Sequence, residues 1–233
     1  MKIVEYGKVN PLAYGLTTAC DIYYIHIKVE EHAQIITDLI SLISNSSWLK
    51  NLDSTIGYAY QARAQRTIPK MVEKIQKGEI DKITSDSGEY IISYAAHQGL
   101  ARQYLHKIIP LAEIWKEKAL GNPGFDFHTE NPRNILIFGE SKYTTRGTPH
   151  NTALNQIIKF IQDKKDSSEL SDLKNFICEQ TAKNCINGNK GYAAAFSLRT
   201  TTPKGTILFP LKNNLQIDKL LQHQELYLIG VEI

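Results

Sequence analysis

Ile135-Leu136-Ile137-Phe138 is a run of four apolar residues without a polar break, and no other stretch constrains the fold as much. It is too short for a buried helix and too uniform for a strand with one wet face. Such a run suits a strand covered on both faces, which requires a layer above and a layer below a sheet. Gly139, Glu140, Ser141 and Lys142 follow directly. On a continuing strand Glu140 and Lys142 point the same way, so a core strand delivers a carboxylate and an ammonium to one spot. Upstream, Phe125-Asp126-Phe127 reads as a neighbouring strand whose Asp126 faces opposite to both rings. Asn131-Pro132 and Asn134 supply the turn between them. Residues 121–143 thus outline two strands, a turn and a place for a metal ion and a water.

The rest of the composition narrows the class. A chain of 233 residues can form one large or two small domains with a real core. No apolar run approaches the ~20 residues of a membrane span, and the first ten residues, MKIVEYGKVN, hold no apolar stretch of a secretory signal. Cys20, Cys178 and Cys185 are odd in number and lack CxxC spacing, which excludes a disulfide framework or a cysteine zinc site and suggests a reducing cytoplasm. A net charge of +3 allows a nucleic-acid partner without demanding one.

In chain order, residues 21–29 read as a strand with Tyr23, Ile25, Ile27 and Val29 on one face. Residues 30–43 read as a helix with Ile36, Leu39, Ile40 and Ile43 at helical spacing. Ser54 can cap a helix that stops before Pro69, and Pro69 then opens a shorter one ended by Gly78. Residues 1–80 are therefore expected as a mainly helical region with a strand, without catalytic residues and open to a partner, and 81–233 as a second domain. Asp86 with Glu89 forms a capping box for a helix to about residue 106. Further strands are expected over 110–118, 191–198, 206–209 and 225–233. A polar turn over 144–150 precedes helices over 151–164, with Ala153, Ile157, Phe160 and Ile161 inward, and over 168–185. No GxxxxGK[ST] or GxGxxG stretch supports nucleotide binding.

Gly124-Phe125-Asp126 and Gly139-Glu140-Ser141-Lys142, with thirteen residues between Asp126 and Glu140, resemble the signature of the PD-(D/E)XK nuclease superfamily. The order of elements over 86–164 is similar to its αβββα core. Within it, the SGEY…GFD…GESKY…Q pattern is most similar to the HamA nuclease subunits of Hachiman anti-phage systems. The resemblance implies an α/β fold with a mixed central sheet flanked by helices. It also implies a cytoplasmic, metal-dependent DNase controlled by a partner helicase, with Mg²⁺, or Mn²⁺ in its place, as cofactor. Asp126 and Glu140 would ligate the ion, with the Ser141 carbonyl and Glu89 as further oxygens. Lys142 would manage the attacking water, and Gln156 stands where many members carry a helix glutamine. The pattern departs from the family at Gly124, in place of the eponymous proline, and at Phe160, where tyrosine is common.

Other readings of these residues stay open. A helix-capping role explains the Glu89 carboxylate without a metal, and simple exposure explains Gln156. Lys116 and Lys118 suit either a strand edge or phosphate contacts. His97, His106, His128 and His150 share no metal-ligand spacing. A catalytically silent nuclease fold acting as a scaffold, or a phosphoesterase on RNA or another phosphorylated substrate, are the alternative functions.

Overall fold

The computed structural model describes residues 1–80, 85–116, 124–144 and 149–233, and of 77–80, 85 and 86 the backbone alone. Strands β1 (Lys2–Lys8), β2 (Asp21–Lys28), β3 (Lys107–Ile108), β4 (Phe127–Glu130), β5 (Leu136–Lys142), β6 (Lys190–Leu198) and β7 (Glu225–Glu232) form one sheet in the order β1-β2-β7-β6-β5-β4-β3. The four central strands β2, β7, β6 and β5 run parallel, while β1 on one flank pairs antiparallel with β2, and on the other β4 pairs antiparallel with both β5 and β3. The protein is thus α/β with a mixed sheet between helices, as expected.

Both faces of the centre are covered, which is why β5, β6 and β7 are apolar on both sides. Leu136 and Phe138 join Tyr192, Ala194 and Leu228 in a core with Ala153, Leu154 and Ile157 of helix α5 (Pro149–Gln162). Ile135 and Ile137 join Ile25, Ala193 and Ile229 in a second core, under α1 (His32–Ser44), α2 (Ser54–Ile80) and α3 (Ser85–Tyr104). β1 and β2, from residues 1–80, complete the sheet through the β2–β7 pairing, so this region shares both core and sheet with 81–233. No helix among the described residues is long and apolar enough to cross a membrane.

Four expectations are corrected. Pro69 does not end a helix: α2 continues through it, its Ala64, Met71 and Ile75 buried while Pro69 itself is exposed. Residues 110–118 do not form a strand. Ala112–Trp115 is a helical turn, α4, that buries Ala112, Ile114 and Trp115 together, and Lys118 lies outside the described residues. Residues 168–185 hold two helices, α6 (Lys165–Leu173) and α7 (Glu179–Ile186), because the chain turns inward at the buried Phe176. Residues 206–209 belong mostly to helix α8 (Pro203–Leu208), whose Pro203 suits a first helical turn. The capping side chain of Asp86 and most of the 144–150 turn lie outside the described residues.

Candidate active site

β5 carries Glu140 and Lys142 to its carboxyl end, at the border between the parallel and antiparallel parts of the sheet. Open α/β sheets place their ligands at such strand ends. Glu140 is 1% exposed. The Lys142 ammonium lies 2.7 Å from Glu140 Oε1 and 3.4 Å from Oε1 of Glu89 on α3. Asp126 stands one residue before the Phe127–Gly139 pair that starts β4, and its own N–H donates to the Gly139 carbonyl at 2.9 Å. Its Oδ2 accepts the Ser141 N–H at 2.8 Å. Asp126, Glu140, Lys142, Ser141 and Glu89 therefore come together from the residue before β4, from β5 and from α3. Gln156 is half-buried on α5, and among the described residues it makes no hydrogen bond to Glu140 or Lys142.

The charges are coupled. Burial, reinforced by the nearby Asp126 carboxylate, holds Glu140 well above the usual carboxylate range. Burial raises Asp126 as well, against the pull of Lys142. Burial acts to lower the Lys142 ammonium, but the Glu140 charge outweighs it, so Lys142 is raised and stays protonated at neutral pH. Both Glu140 oxygens are buried, and among the described residues neither accepts a hydrogen bond, the Lys142 contact being an ion pair.

One detail of the sequence reading is corrected here. Asp126 does not face away from two rings on one side. Phe125 precedes β4 and packs on Phe138 and Phe160, whereas Phe127 enters the opposite core. The glycines of the motifs make room for neighbours. A Cβ on Gly139 would lie 2.2 Å from the Phe127 ring across the strand pair, and one on Gly88 2.3 Å from Tyr143. At Gly124 a Cβ would come within 2.0 Å of Glu169 Oε1, so a proline there would collide with the carboxylate that holds this turn.

That carboxylate was not singled out by the sequence. Glu169, on α6, accepts the Phe125 N–H at 3.1 Å and pairs with Lys116 Nζ at 2.6 Å and His128 Nε2 at 2.8 Å. Lys116 also donates to the Phe125 carbonyl at 2.7 Å. The peptide leading into Asp126 is thereby fixed from both sides, and Lys116 is an internal tie rather than a strand-edge cation. The four histidines are buried: burial pushes His97 down to about 3 and His106 to about 4, and it lowers His128 and His150 too.

A cavity of about 170 Å³ opens beside the cluster, with Glu89, Asp126, Tyr90, Ser93, Glu113 and Lys74 in its wall. Glu140 does not reach that wall. Among the described residues no three His, Cys, Asp or Glu side chains are gathered as a ready-made metal cage. Mg²⁺ needs less than that, since one or two carboxylates with waters hold it, and the two unbonded oxygens of Glu140 beside Asp126 fit such an ion. Neither a scan against protein-family models nor a search of curated proteins found a match for the chain.

Proposed function

We propose that this chain is a metal-dependent nuclease of the PD-(D/E)XK type, hydrolysing phosphodiester bonds of DNA. The observation that carries this is the meeting of Asp126, Glu140 and Lys142 with Glu89 from the preceding helix, each from the element the motif assigns to it. Asp126 and Glu140 would hold Mg²⁺ or Mn²⁺, with Glu89 and the Ser141 carbonyl as further oxygens. A bound ion supplies a water of lowered pKa and offsets charge on the phosphate. Lys142 would manage the attacking water or stabilise negative charge on the reacting phosphate. Glu169 and Lys116 position Asp126 through the Phe125 peptide. The HamA-like order of motifs further supports a role in phage defence, with a partner helicase restraining cleavage.

The silent-scaffold reading has one observation in its favour, the lack of a preformed three-ligand group among the described residues. Calorimetric titration of Mn²⁺ and Mg²⁺, paired with cleavage of plasmid DNA, RNA and mononucleotides, separates the two. Metal binding and DNA cleavage are expected in the wild type, and both should be lost in Glu140→Ala/Lys142→Ala. A wild type that binds neither ion and leaves every substrate intact is a scaffold.

A further inference from the structure

A second groove, of about 420 Å³, adjoins the candidate site and is walled by Arg63, Arg66, Lys70 and Lys74 of α2, with Lys116. Lys74, Tyr90 and Glu113 line both this groove and the smaller cavity that holds Glu89 and Asp126, so the two are continuous. The cations follow one another at three, four and four residues, which puts them on one side of the helix. Together they span about 16 Å of its axis, at a rise of ~1.5 Å per residue.

These cations are not equivalent. Arg63 is anchored, donating to the Trp115 carbonyl at 3.0 Å and lying over the Tyr60 ring at 5.3 Å. Lys116 is held by Glu169. Arg66, Lys70 and Lys74 are exposed and stand one helical turn apart, Lys74 having a partner of its own. Like charges at that spacing each cost a helix a few tenths of a kcal/mol. Overall composition does not force the arrangement, since 27 Lys and Arg face 24 Asp and Glu in the whole chain. Among the described residues lining the groove, Glu113 is the only acid, and it accepts the Tyr90 hydroxyl.

We infer that this face of α2 is the track for the phosphates of a polynucleotide, which Arg66, Lys70 and Lys74 lead to the Glu89–Asp126 cavity. The cleavage that would follow rests on the proposed nuclease activity, but binding along the track does not. A row of cations repeating over three turns suits a repeating anion better than a single phosphate or mononucleotide, which would meet one or two of them. Contacts of this kind position a strand without reading its sequence.

The test is the binding of labelled single-stranded DNA, duplex DNA and RNA oligonucleotides in EDTA, followed by fluorescence anisotropy over a salt series. It compares the wild type with Arg66→Gln/Lys70→Gln/Lys74→Gln. Glutamine keeps helix propensity, and circular dichroism checks the fold. Each phosphate contact removed lowers the slope of log K against log salt by about 0.7–0.9. The triple variant should therefore lose about 2–3 in slope and at least tenfold in affinity at low salt, and the tightest probe identifies the substrate class. If the triple variant unfolds, each single variant should still lower the slope by just under one. Three results overturn the inference: a wild type that binds no oligonucleotide, variants that bind like the wild type, or equal binding of polyglutamate with the same loss in the variant. Glu140→Ala/Lys142→Ala should keep the binding while losing cleavage. Binding on the track by a wild type that never cleaves would sink the nuclease reading alone. Cleavage by a wild type whose track variants bind normally would sink the track alone.

Discussion

Glu140 is a carboxylate held where its charge is unfavourable. Because its folded-state pKa is raised from an ordinary value near 4.5, the folded chain keeps this proton at pH values where the unfolded chain has released it. Stability is then greatest below the ordinary value and falls as pH rises towards the raised one, by up to about 1.4 kcal/mol per pH unit for one proton. Asp126, also raised, adds in the same direction. The four buried histidines act the other way below their ordinary value of 6.5, where the unfolded chain takes up protons that the folded chain refuses. The Glu140 contribution is therefore read as a difference: in EDTA, the wild-type Tm relative to that of Glu140→Gln should fall as pH rises above about 4.5. Mn²⁺ should raise the wild-type Tm most at the high-pH end. A difference that stays constant with pH would mean that Lys142 fully offsets the buried charge. Glu169 is the opposite case, a buried carboxylate with three partners: despite burial, the His128 and Lys116 contacts keep it below the usual range. Removing one member of a buried pair costs about 3–5 kcal/mol. Glu169→Gln should lower stability in urea unfolding by roughly 3 kcal/mol, because it leaves Lys116, only 17% exposed, without its counter-charge. A loss under about 1 kcal/mol, the scale of an exposed pair, would show that the tie on the Phe125 peptide is weak.

Among the elements, α2 shows how far a local rule reaches. A proline inside a helix removes one backbone hydrogen bond and costs about 3 kcal/mol, yet α2 runs through Pro69 because Ala64, Met71 and Ile75 are buried on either side of it. Pro69→Ala should therefore raise stability by about 1–3 kcal/mol, read as a higher urea midpoint. A lower midpoint would mean that α2 needs a bend there to pack on α3 and α4. Reading Pro69 as a stop also hid the basic face, since it parts Arg66 from Lys70 and Lys74, whose spacing is regular only on one continuous helix. β5 was legible because its apolar run has one plausible environment, and Glu140 and Lys142 were legible because strand period alone pairs them. β1 was not, since Val4 and Tyr6 are 47% and 51% exposed and leave no clear inward face. The short apolar stretches at Ile114-Trp115 and Ile207-Leu208 are buried by single helical turns, and so few residues do not distinguish a turn of helix from a strand. Glu169 reaches Phe125 from a helix distant in sequence, a contact no local spacing announces.

For the whole molecule, the question is whether residues 1–80 stand apart from the rest. The sheet joins them: all eight residues of β2 pair with β7, from Asp21–Glu225 to Lys28–Glu232. Ile22 lies in one core, and Ile25 and Ile27 in the other with Ile36, Leu39 and Ile43 of α1. Burying each such side chain contributes about 1.5–3 kcal/mol, so these six together exceed much of the roughly 5–15 kcal/mol by which domains are usually stable. Without residues 1–80, β7 would become an edge strand with its eight-residue backbone ladder open and Ile229 and Val231 uncovered. A fragment of residues 81–233 is accordingly expected to aggregate on expression, or to melt without a cooperative transition in calorimetry. The fragment with Tyr23–Lys28 restored as a separate peptide should not recover the fold either, because α1 and α2 are also missing from the second core. A soluble 81–233 fragment with a sharp transition would show that the strands from β7 to β3 and their helices hold together alone. In that case residues 1–80 would be free to serve as a partner-binding region.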